Sequence, residues 1–307
     1  MFTNLYRFVP SRTAENEFDI LLIDEAHRIE KSSNHQYTRP ADRTDMPQIN
    51  QLIRCAKTSV FFIDDRQKVR SQEAGNSDLI RNAASEAGAT IREVTLETQY
   101  RCMGSNDYLL WIESVLGYSE EKRILLKNEI FDFRIMSSPS EIMEILKEKE
   151  AEKANSARMV AGFCWPWSSK TDANGDLIKD VRIGDFAMPW ETHDKITRTP
   201  PGYVKWYEWA YRPEGIKQVG CIYTAQGFEF DYIGVIIGND LRYDPHTDSL
   251  TGDITASKDP MLKRDFQTFD MHVKNIYRTL LTRGMKGCYV YFTDKGTEDF
   301  FRNRMES

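Results

Sequence analysis

Leu21-Leu22-Ile23-Asp24-Glu25-Ala26-His27 carries an apolar run straight into two carboxylates. With Phe18 to Ile20 before it, the run has the length and composition of a β-strand. A second apolar run, Ser59 to Ile63, also ends in acids, at Asp64 and Asp65. Between the two, Ile49, Leu52, Ile53 and Ala56 recur at helical spacing across Met46 to Lys57. Strand, helix, strand in that order predicts α/β layering on a parallel sheet.

The alternation continues outward. Asp78 to Ala87 reads as a helix closed by Gly88, and Ile91 to Leu96 as a third strand. A helix from Ser105 sets Leu109, Ile112, Val115 and Leu116 on one face and ends at Gly117. Ser138-Pro139-Ser140-Glu141 has capping-box spacing with proline at the first helical position, and the helix runs to about Lys153. Met159 to Trp165, Val219 to Thr224, Tyr232 to Ile237 and Cys288 to Phe292 read as strands, and Phe269 to Thr282 as a helix closed by Gly284. Trp167 to Gly215 is irregular, with Asp172-Ala173-Asn174-Gly175 as a hairpin turn. Asn239 to Asp265 is polar and rich in turn residues.

The bulk properties bound the answer. A chain of 307 residues, 40% hydrophobic and 29% charged, suits about two ordinary globular domains. Its net charge of -6 weighs against a nucleic-acid partner without excluding a basic groove. Cys55, Cys102, Cys164, Cys221 and Cys288 form no CxxC pair, which argues against structural zinc and for reduced, packed thiols. Met1 to Phe18 has no apolar signal region, and no apolar run approaches the ~20 residues that span a bilayer. A cytoplasmic protein without a membrane partner is expected.

Chemistry concentrates at strand ends, where α/β sheets hold their ligands. Asp24 can bind a Mg²⁺ that bridges nucleotide phosphates, and Glu25 can orient or deprotonate water. A polar loop after a strand is the alternative reading of both. Gln67, three residues after Asp64, can hydrogen-bond a γ-phosphate or a hydrolytic water. Gln99-Tyr100-Arg101, Thr224-Ala225-Gln226-Gly227-Phe228-Glu229-Phe230 and Tyr277-Arg278-Thr279-Leu280-Leu281-Thr282-Arg283 follow. Arginines supply bidentate donors to phosphate, though either arginine alone also reads as a surface charge.

In that order the five signals resemble a superfamily 1 helicase core, from its second motif to its sixth. The runs Gly220 to Gly238 and Asn275 to Gly287 are similar to the bacterial branch of the Schlafen-type (Schlafen group 3-like) DNA/RNA helicase domain. The resemblance covers nearly the whole chain. It implies two RecA-like P-loop NTPase domains clamping ATP: residues 1–93 as an incomplete first domain, and 94–307 as the second with an irregular insertion around 166–215. It implies Mg²⁺ on Asp24 and Glu25, with Glu25 as catalytic base and Gln67 as γ-phosphate sensor. Arg101 and Arg283 become arginine fingers, and Gln99, Gln226, Gly227 and Glu229 bind nucleotide, with Glu229 on the ribose. Thr224 and Gln226 would link the nucleotide site to single-stranded or duplex DNA or RNA.

The chain departs from the pattern in three places. No G-x-x-x-x-G-K-[ST] loop occurs, so the chain is expected to begin after it, either as a truncated chain with a missing N-terminal segment or as a remnant without it, and a partner protein is a further expectation. Ile63 stands where the family often has glycine, and Gln226 where many relatives have lysine. Trp165, Trp167, Trp190, Trp206 and Trp209 lie among Lys170, Lys179, Lys195, Arg198 and Lys205. That pattern fits base stacking, but core filling is the favoured reading. A non-catalytic RecA-like scaffold is the second functional reading. A nuclease built on Asp64, Asp65 and Glu97 ranks third, because no Glu-x-Lys follows a strand.

Overall fold

The computed structural model describes residues 3–70, 72–96, 101–126 and 130–305, without the side chains of Arg101 and Met103. Two compact units divide the chain, Met1–Thr95 and Leu96–Ser307.

In the first unit, β1 (Phe18–Ile23) and β2 (Ala56–Phe61) pair in parallel, Leu22 opposite Val60 and Ile23 opposite Phe61. The crossover contains α1 (Gln48–Arg54), and α2 (Ser77–Glu86) follows. Ile23, Ala26, Ile29, Ile49, Leu52, Cys55 and Ala83 form the core beneath the strands. Asn76 caps α2 by accepting from Leu79 N at 2.7 Å, and Gly88 ends it with φ +68°. The expected strand over Ile91 to Leu96 does not form. Those residues are irregular, with Val94 and Leu96 exposed, because an apolar alternation without a neighbouring strand has no ladder to join.

The second unit opens with α3 (Asn106–Val115), β3 (Asp132–Ile135), α4 (Pro139–Glu152) and β4 (Ala157–Ala161). Ser138 caps α4 with Pro139 at its first position, as the capping-box spacing predicts. The small hairpin β5 (Val181–Ile183) and β6 (Phe186–Met188) lies in the irregular insertion. Then come β7 (Val219–Gly220), α5 (Ile222–Ala225), β8 (Phe230–Ile237), and the hairpin β9 (Leu241–Asp244) with β10 (Ser249–Gly252). α6 (Phe269–Leu281), β11 (Gly284–Phe292) and α7 (Lys295–Arg302) complete it.

Five strands make one parallel sheet in the order β3-β11-β8-β4-β7. Every β4 residue is buried, as a central parallel strand requires. Two expectations shift locally. The run Val219 to Thr224 splits into a two-residue strand and a helical turn, because Thr224 Oγ1 accepts from Cys221 N at 3.0 Å and closes the turn. Gly284 does not end α6; it opens β11 at a bulge, where a Cβ would stand 2.2 Å from the Gly287 carbonyl oxygen.

The insertion is ordered and pinned to the sheet. Fully buried Arg158 donates from Nε to Trp209 O at 3.0 Å and from Nη2 to Arg212 O at 2.7 Å. Trp190 and Trp209 are core residues, so the core-filling reading holds for these two; Trp206 is exposed. All five cysteines are free thiols, four of them buried. Among the described residues no helix is long and apolar enough to cross a membrane.

Candidate functional site

Parallel pairing brings the ends of β1 and β2 side by side, and with them their acids. Ala26 N donates to Phe62 O at 2.9 Å, which ties the two strand-end turns together. Asp24 is exposed and accepts from Glu25 N at 2.9 Å. Glu25 sits in the left-handed region, at φ 51° and ψ 44°. A non-glycine residue there costs about 1–3 kcal/mol, and such strain clusters at functional positions. Glu25 Oε2 lies 3.1 Å from Nε2 of His27, whose ring is buried. Gly75 must be glycine, since a Cβ would stand 2.0 Å from the Ala26 carbonyl oxygen.

At the end of β2, Asp64 binds Arg66 N at 3.0 Å through Oδ1 and receives Gln67 Nε2 at 3.0 Å through Oδ2. Gln67 is buried, so its amide is held rather than waving in solvent. Asp65 Oδ1 accepts from Ser77 N at 2.9 Å and starts α2, a structural task. Asp24, Glu25, Asp64 and Gln67 thus belong to one strand-end cluster. Exposed Asp24 suits a hard cation, because Mg²⁺ takes one or two carboxylates and fills its shell with phosphate and water oxygens. Among the described residues no group of three His, Cys, Asp or Glu is arranged to hold a metal by itself.

In the second unit two distant motifs meet. Gly227 adopts φ +90°, a conformation open to glycine, and turns the chain from α5 into β8. Arg283, 1% exposed, donates from Nη1 to Phe228 O at 3.3 Å and from Nε to Thr279 O at 3.1 Å. Phe230 N returns a bond to Arg283 O at 2.9 Å. Gln226 and Thr224 are buried beside this turn, whereas Glu229 is exposed. Arg101 lies in a 3-10 turn, Arg101–Gly104, and its side chain is outside the description; Gln99 lies outside the described residues altogether.

Sequence reasoning missed two buried groups. Pro189 to Glu191 lies alongside β7: Val219 N donates to Pro189 O at 2.9 Å and Glu191 N to Val219 O at 3.3 Å. This brings the carboxyl of Glu191 to Cys221, whose thiol donates at 3.3 Å. Burial pushes that carboxyl up to about 7. The second group is Asp240, which accepts from Tyr277 Oη at 2.5 Å, while Gly238 N donates to the same hydroxyl at 2.8 Å. Burial and Asp240 raise the Cys164 thiol above its ordinary range, so it stays protonated. A lone acid in an irregular segment carries no sequence signal, so neither group was legible.

A five-stranded parallel sheet consistent with a RecA-like domain, with acids after the strands of the other unit, makes this an α/β protein. The profile of the Schlafen group 3 DNA/RNA helicase domain matches residues 1–294, and the chain belongs to that family. A relative, the uncharacterized protein YPL245W of Saccharomyces cerevisiae (strain ATCC 204508 / S288c), is 27% identical over 90% of this chain. The chain spans 63% of that relative's length.

Proposed function

We propose that the chain is the core of an ATP-dependent helicase or translocase, built of two RecA-like domains and acting on DNA or RNA. The observation that carries this reading is the strand-end cluster: exposed Asp24, strained Glu25, and Gln67 held on Asp64. Asp24 would hold Mg²⁺, whose chemistry is to neutralise charge on the nucleotide phosphates. Glu25 accepts the proton of the attacking water, with His27 beside it fixing its carboxylate. Gln67 hydrogen-bonds the γ-phosphate, and its bond to Asp64 carries the change at that phosphate into the turn. Arg101 and Arg283 stabilise phosphate charge, Gly227 lets backbone approach, and Gln99, Gln226 and Glu229 contact the nucleotide.

The sequence holds no Gly-Lys-[Ser/Thr] phosphate loop. Hydrolysis by this chain alone is therefore expected to be weak, and a scaffold that binds nucleotide without turning it over is the second reading. Calorimetric titration with Mg²⁺-ATP tests the site. Wild-type chain is expected to release binding heat that Asp24→Asn loses. Identical isotherms for the two would remove Asp24 from the proposal.

A further inference from the structure

The C-terminal edge of the second unit's sheet carries a hollow of about 400 Å³ that none of the helicase motifs supplies. Thr293 directly follows β11, while Asn239 and Trp165 lie in the loops that leave β8 and β4, so three adjacent parallel strands send their following segments to one place. Ligands of α/β sheets bind at that edge. Arg182 and Ile183 of β5, Cys164, Ala256 and Lys258 complete the wall.

The hollow is chemically one-sided. No aspartate or glutamate lines it, although the chain as a whole carries a charge of -6. Among the described residues neither Arg182 nor Lys258 joins an ion pair; Arg182 Nε donates to the Lys179 carbonyl at 2.8 Å. Lys258 is exposed, and its backbone N–H donates to Phe163 O at 2.7 Å, which fixes its place on the rim.

The aromatic wall is also fixed. The Trp165 indole N–H donates to Arg182 O at 3.1 Å, so the ring cannot turn freely. Beneath it the floor is rigid. A Cβ on Gly238 would stand 2.3 Å from Cys164 Sγ, and Tyr277 is locked between Gly238 and Asp240. Thr293 Oγ1 binds Asn239 Oδ1 at 3.1 Å and ties the two strand tips together. A fixed indole beside two cations, with no acid in the lining and Asp240 buried beneath it on Tyr277, is the chemistry of a single-strand platform: a base stacks while phosphates meet the cations.

We propose that this hollow takes one nucleotide of a single-stranded nucleic acid, its base on Trp165 and its flanking phosphates on Arg182 and Lys258. The inference rests on the nucleic-acid part of the helicase reading and names where that strand lies.

Fluorescence anisotropy of a labelled oligothymidylate, titrated with the full chain across a salt series, tests it. The double variant Arg182→Ala/Lys258→Ala changes only exposed side chains and should fold. Removing two phosphate contacts should make the slope of log K against log salt shallower by about 1.4. Trp165→Leu should weaken binding roughly 5- to 140-fold. An unchanged slope and affinity in the double variant, in a chain that binds the oligonucleotide, would overturn this site alone. No oligonucleotide binding by the wild-type chain at low salt would overturn it together with the nucleic-acid reading. Competition by free ATP that the double variant abolishes would make the hollow a mononucleotide site and overturn the strand assignment.

Discussion

Arg283 reaches back 55 residues to donate to the carbonyl of Phe228 at 3.3 Å, and so locks the Gly227 turn to the end of α6. Arg283→Ala removes a buried donor from Phe228 O, while Thr279 O keeps Thr282 N and Oγ1. A buried polar group left without its partner costs about 1–3 kcal/mol, and urea unfolding should show a loss of that size. Arg283→Lys should recover only part, because one ammonium cannot reproduce two guanidinium N–H directions. Equal stability of wild type and alanine variant would show that the lock carries no energy.

The buried carboxyl of Glu191 makes stability depend on pH. Burial raises it from the ordinary 4.5 to about 7, so the folded chain holds this proton more tightly than the unfolded chain. Its stabilising contribution is complete below pH 4.5 and is lost as pH rises through about 7. Glu191→Gln should therefore be more stable than wild type at pH 8, by on the order of 3 kcal/mol, and the difference should close near pH 4.5. Thermal melts of both proteins across that range check it. A constant difference at all pH values would contradict the assignment.

Tyr277 is the hinge pin of the strand tips. Tyr277→Phe leaves Asp240 buried without its hydroxyl donor, and unfolding measurements should register about 1–3 kcal/mol of lost stability. Gly162→Ala should cost a similar amount by another route, since the new Cβ would fall 1.9 Å from Tyr277 Oη and force that ring aside. Because both changes act on one side chain, their effects should fall short of adding in the double variant. Full additivity would show two independent sites.

Hydrolysis by the chain alone should lie far below the ordinary enzymatic rate of about 10 s⁻¹. Glu25→Gln should remove what remains, with nucleotide binding kept. Phosphate release near that ordinary rate, abolished by Glu25→Gln, would show that this chain needs no further phosphate loop.

How much of this was written in the sequence differs from residue to residue. Leu21 to Glu25 was legible because a strand ending in carboxylates is a local pattern, and Gly227 because its turn sits inside a long motif. Ser138 and Pro139 were legible because a cap depends on a few neighbouring residues. Ile91 to Leu96 misled, since a strand exists only if another strand pairs with it, and that is not a local property. Val219 to Thr224 misled because one hydroxyl, on Thr224, converts its second half into a helical turn. Glu191, Asp240, Arg182 and Lys258 were illegible as site residues. Each gains its meaning from a partner far along the chain, brought near by the sheet order β8-β4-β7 or by the pinned insertion.

The central claim is that nucleotide and nucleic acid act on one another through this chain. Oligothymidylate affinity measured with and without saturating Mg²⁺-ATP tests it most directly. Coupling of binding sites typically amounts to 5-fold or more and is reciprocal, so ATP should change oligonucleotide affinity by at least about 5-fold, and the oligonucleotide should change ATP affinity by the same factor. Asp24→Asn should abolish both shifts. Affinities for each ligand that are identical with and without the other would contradict a motor core.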